Sequence, residues 1–115
     1  MSELGQKIIA EVRKVAAESK SFIYEPPLFR GSCVYIYDGS PSCIIGCALW
    51  NLELIDATCP WDAYAISDIT SIINSLDWQV DENEKLWLLT VQQKQDVGIS
   101  WGRCIELADE NVQRI

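Results

Sequence analysis

The sequence predicts an α+β fold that is mostly α: four or five helices packed around one short β-hairpin. Apolar residues recur at three- and four-residue spacing along most of the chain, which is the helical period. One stretch, CVYIYDGSPSCI, instead alternates Val34 and Ile36 against Cys33, Tyr35 and Tyr37, then breaks at Asp38-Gly39, a dipeptide suited to a tight hairpin turn. At 115 residues, 49% of them hydrophobic and including five Trp, four Tyr and two Phe, the chain can bury a real core but not two. Residues 1–115 therefore read as a single domain.

The first element is an amphipathic helix over SELGQKIIAEVRKVAAESK. Leu4, Ile8, Val12 and Val15 share a face, Ser2 is placed to cap, and Glu3 and Lys7 form an i,i+4 pair. Pro26 and Pro27 end helical continuation, while Phe22, Tyr24, Leu28 and Phe29 make that block apolar enough to lie along the core. The hairpin follows, with a return strand expected over Ser42 to Ile45 and a buried helix from Gly46 to Ile55; a helix start at Ser42 is the alternative. Gly46 fits a close backbone approach. After the irregular DATCPWDAYA comes a short helix with Ile66, Ile69, Ile73 and Leu76 on one face.

Asp81 and Glu84 have the spacing of a capping box and open the strongest helix, which runs to about Val97 and closes at Gly98 with Ile99 available for the accompanying apolar contact. Negative charge at Asp81, Glu82 and Glu84 suits that N-terminus electrostatically. Leu86-Trp87-Leu88-Leu89 reads as buried, and Gln92-Gln93-Lys94-Gln95-Asp96 as the same helix emerging into solvent. Ser100 caps a last helix whose stripe is Trp101, Ile105, Ala108 and Val112.

Several function classes are disfavoured. The chain has no histidine, which removes Ser-His-Asp and Cys-His catalysis and His-ligated zinc. No phosphate-binding glycine loop occurs. Net charge is −8, with five Lys/Arg against seven Asp/Glu in residues 1–57 and four against ten in residues 58–115. That balance repels nucleic acid and anionic membranes, so neither is expected as a partner. VQQKQDVGISWGRCIEL imitates a helix-turn-helix, but its second helix offers Arg103 against Glu106, Asp109 and Glu110; an αα-corner accounts for the pattern.

The longest apolar runs fall short of the roughly 20 residues that span a bilayer, and the N-terminus lacks a signal-peptide pattern. A cytoplasmic protein is the expectation. Five cysteines at irregular spacing suit reduced thiols acting as small core residues. A Cys₄ metal set of Cys33, Cys43, Cys47 and Cys59, or a redox pair of Cys33 and Cys43, stays open as an alternative. Asp38, Asp56 and Asp62 lie in loops, where solvated aspartates are ordinary.

The segment Pro41, Ser42, Cys43, Ile44, Gly46, Ala48, Leu49, together with Gln95, Asp96, Gly98 and Trp101, resembles small uncharacterised proteins of actinobacteria and of the phages that infect them. These share a P-S-C-I-x-G-x-A-L segment and a C-terminal Q-D-x-G-x-x-W motif. The usually polar position after the shared glycine is Cys47 here. The resemblance implies a small bacterial or phage protein and no mechanism.

The functional expectation is a non-enzymatic, acidic protein-interaction module with no catalytic residues, metal or cofactor, acting on a host or phage protein. Its candidate contact residues are Trp61, Asp62 and Tyr64, aromatics and an acid outside any core stripe, and Trp78. A homodimer that buries the same loop is the structural alternative.

Overall fold

A computed structural model describes residues 2–25, 34–56, 58 and 68–113. Five helices and one two-stranded antiparallel hairpin make up the described chain: α1 (Glu3–Glu18), β1 (Ile36–Tyr37), β2 (Ser40–Pro41), α2 (Ile44–Asn51), α3 (Ile69–Ser75), α4 (Glu82–Asp96) and α5 (Trp101–Asn111). The mostly α architecture with a short hairpin is thus as the sequence predicts. α4 is central and packs against α1, α2, α3 and α5.

The local signals account for most element ends. Ser2 caps α1, its Oγ accepting from the Gly5 amide at 2.9 Å. Asp38 and Gly39 both have positive φ, at 54° and 78°, and pair Tyr37 with Ser40 across the turn, the backbone of a type I′ hairpin. The return strand is shorter and earlier than Ser42 to Ile45: it is Ser40–Pro41, and Cys43 already caps α2. The reason is visible at Gly46, where a Cβ would run into the Tyr35 backbone. The first turn of α2 lies directly on the hairpin, leaving no room for a longer strand.

In α3, Asp68 is the N-cap, and Ile69, Ile72 and Ile73 are buried; Leu76 is exposed, contrary to the expected stripe. Ile66 lies outside the described residues. The capping box of Asp81 and Glu84 opens α4 as expected. Trp101, Cys104, Ala108 and Val112 form the buried stripe of α5, with Ile105 only partly covered.

Three helices end alike. After α4, Gly98 donates to the Gln95 carbonyl and Ile99 to that of Lys94; after α3, Asp77 and Trp78 donate to Asn74 and Ile73; after α2, Glu53 and Leu54 donate to Trp50 and Leu49. Each is a Schellman ending with a left-handed residue followed by an apolar one. Leu54, Trp78 and Ile99 pack against the core as that motif requires. Asp77 (φ 55°) holds a conformation that glycine adopts without steric cost. Asp77→Gly is therefore expected to stabilise the protein by about 0.5 kcal/mol, after allowance for the freer unfolded chain. A lower urea midpoint in that variant would show that the aspartate side chain contributes more than its backbone costs.

The polar face of α4 is the main departure from expectation. Gln92 and Gln95 do not emerge into solvent; both are buried, together with Glu84, while Leu86 is exposed. Glu84, Leu88, Val91, Gln92 and Gln95 share one face at helical spacing, and that face turns inward.

Three of the four buried polar side chains of α4, Glu84, Gln92 and Gln95, each serve the N-terminus of another helix, while the fourth, Thr90, donates to the Leu86 carbonyl and accepts from Asn111. Glu84 accepts from the Ser2 amide and hydroxyl and from Gln6 Nε2 of α1, as well as from the Asp81 amide. Gln92 Oε1 accepts from the Ile69 amide of α3 at 2.8 Å, and its Nε2 donates to the Tyr35 hydroxyl. Gln95 Oε1 accepts from the Ile44 amide of α2 at 2.8 Å and from Trp101 Nε1 of α5 at 3.2 Å. Amides that a helix leaves unpaired at its start are thereby satisfied from α4.

Candidate functional site

Where α1 ends and α5 begins, charged side chains of both helices line a cavity and the exposed Phe22 and Ile23 run past the start of α5. The chain leaves α1 and runs back beside α5, the Gly102 amide donating to the Lys20 carbonyl and the Trp101 amide to that of Phe22, both at 2.9 Å. These bonds occupy the first two amides of α5. Phe22 meets the buried Trp101 ring edge-on, with centroids 4.6 Å apart.

This docking leaves apolar side chains in solvent. Phe22 is 47% exposed and Ile23 53%, and Val97, four residues before Trp101 in the α4–α5 turn, is 73% exposed. A cavity of about 500 Å³ opens between α1 and α5. Arg13, Lys20, Arg103 and Glu106 supply its charged lining, over a floor of Ala16, Ala17 and Ile105.

Arg13 is fixed in place. Its guanidinium makes two hydrogen bonds to Asp109, at 2.8 and 3.0 Å, and stacks 4.9 Å from the centroid of the Trp87 ring. Trp87 Nε1 donates to the same carboxylate at 2.9 Å. The bonds from Arg13, opposed by partial burial and reinforced by Trp87, hold Asp109 below the usual carboxylate range. Arg103 is less committed: it stands 3.7 Å from Glu106 and 3.9 Å from Glu110, beyond hydrogen-bond length.

The thiols are placed differently from the expectation of five reduced cysteines. Cys43 is buried and disulfide-bonded, while Cys47 and Cys104 are free. Cys33 and Cys59 lie outside the described residues. Burial pushes the Cys47 thiol up, and burial together with nearby Asp96 raises that of Cys104 to about 11. Both are protonated at neutral pH and are poor nucleophiles. Among the described residues no group of three or more His, Cys, Asp or Glu side chains could hold a metal ion.

Of the contact residues expected from sequence, Trp61, Asp62 and Tyr64 lie outside the described residues. Trp78 is half-buried and packs on the core after α3. The α1–α5 cavity was not legible in the sequence, because Arg13, Lys20 and Arg103 come from distant segments that only the fold brings together. No helix among the described residues is long and apolar enough to cross a membrane. No protein-family model, curated protein or solved structure matches the chain.

Proposed function

We propose that the chain is a non-enzymatic protein-interaction module, binding a host or phage protein in the cytoplasm of a bacterium. The observation that carries the reading is the exposure of large apolar side chains: Phe22 and Ile23, which run beside the start of α5, and Val97 in the α4–α5 turn remain in solvent. Trp61, Asp62 and Tyr64 are retained as proposed contacts on sequence grounds. The Cys43 disulfide weighs against the reducing compartment in this proposal, since cytosolic thiols are normally kept reduced.

The test is site-specific photo-crosslinking in the producing cell, with the photoreactive residue at position 23, 61 or 97 and, as a control, at the solvent-facing Lys14. The proposal expects a discrete adduct with another protein at one or more of the first three positions and none at 14. An adduct between two copies of the chain would replace it by the homodimer reading. Equal labelling at all four positions, or none, would overturn both.

A further inference from the structure

We propose that the α1–α5 cavity binds a small anion, a carboxylate or phosphate carried on an apolar body. The inference is independent of the protein-binding proposal. The cavity volume of about 500 Å³ lies within the roughly 300–1,000 Å³ usual for small-molecule sites. Arg13, Lys20, Arg103 and Glu106 line the cavity, and Asp109 and Glu110 are paired with Arg13 and Arg103, which leaves Lys20 as the lining cation with no ion pair among the described residues.

The donors also remain available. Lys20 has no ion-pair partner among the described residues, and Arg103 reaches its two carboxylates only beyond hydrogen-bond length. Ser100, also in the lining, makes no side-chain capping bond to α5. An entering anion would gain charge-assisted hydrogen bonds from Lys20 and Arg103 without breaking a short one. Arg13 adds a positive charge whose position Asp109 and Trp87 fix, and Asp109, Glu106 and Glu110 are the carboxylates that oppose the ligand. Ala16, Ala17 and Ile105 give the apolar body its contact.

The measurement is an amide NMR titration of the full chain with phenyl phosphate and with benzoate, and with phenol as the neutral probe. Saturable shifts are expected at Ala16, Ala17, Lys20 and Gly102 for at least one anion, and weaker effects with phenol. Lys20→Gln and Arg103→Gln should each weaken anion binding by about tenfold, the loss of one charge-assisted bond, while Lys14→Gln leaves it unchanged. Both cavity variants alter exposed side chains, so an unchanged spectrum without ligand verifies their fold. Shifts spread evenly over Lys7, Lys85 and Lys94, linear concentration dependence, or equal response to phenol would overturn the proposal.

Discussion

Glu84→Ala is expected to lower the unfolding free energy by about 4 kcal/mol, near the upper end for a single substitution. The carboxylate is fully buried and receives donors from the starts of two helices: the Ser2 amide, the Ser2 hydroxyl, Gln6 Nε2 and the Asp81 amide. Truncation leaves those donors without an acceptor and opens a void that no neighbour fills. Glu82, on the same turn but solvent-facing and, among the described residues, paired with Lys85 alone at 3.1 Å, is the control. Its alanine variant should stay within about 0.5 kcal/mol of the parent.

The same carboxylate sets an acid limit. Burial alone would raise its pKa, but the hydrogen bonds from Ser2, Gln6 and Asp81 outweigh that and hold it below 4.5, its ordinary value. A depressed acid stabilises the fold fully above its unfolded pKa and loses that contribution as pH falls through the folded one. Urea midpoints of the parent should therefore drop below about pH 5, and Glu84→Gln should show a shallower drop from a lower plateau. Asp109 acts in the same direction, less strongly because it is partly solvated. A Glu84→Gln profile parallel to that of the parent would remove Glu84 as the source. Gly5 belongs to this arrangement, since a Cβ there would collide with the Glu84 carboxylate and the Ser2 hydroxyl.

Gln95→Leu is expected to cost about 3 kcal/mol even though leucine is the more hydrophobic residue. The amide oxygen is the acceptor for the Ile44 amide and for Trp101 Nε1, both buried. Leucine leaves both donors unpaired, at about 1–3 kcal/mol each, offset in part by its greater transfer free energy. Gln93→Leu, at an exposed position two residues earlier, should be nearly neutral. Hydrogen exchange at the Ile44 amide gives a local readout and should accelerate in Gln95→Leu beyond the change in global stability. A stable Gln95→Leu variant with a protected Ile44 amide would refute the bridging role.

These residues show what the sequence discloses and what it withholds. Signals that act within a few positions were readable: Ser2 before α1, the Asp38-Gly39 turn, the Asp81/Glu84 box and Gly98 after α4 all do in the structure what their chemistry suggests. Gln92 and Gln95 misled because an amphipathic reading assigns polar residues to water. Their burial depends on amides of α2 and α3 that are far away along the chain. The clue was the common face of Glu84, Leu88, Gln92 and Gln95, which periodicity places with the core and composition places outside it. Leu76 and Leu86 are the converse, apolar by composition but turned to solvent. The cavity lining likewise joins α1 to α5, and nothing local in either segment marks it.

The dependence of α1, α2 and α3 on α4 bears on how the protein is made. Synthesis delivers residues 2–80 before any of α4, so the three earlier helices leave the ribosome without the side chains that complete their first turns. Glu84 emerges first, then Gln92 and Gln95, and with Gln95 the start of α2 acquires its acceptor. The last third of the chain therefore commits the first two thirds to their final boundaries, and the tertiary structure is completed after translation has passed α4, not domain-piece by domain-piece as the chain appears.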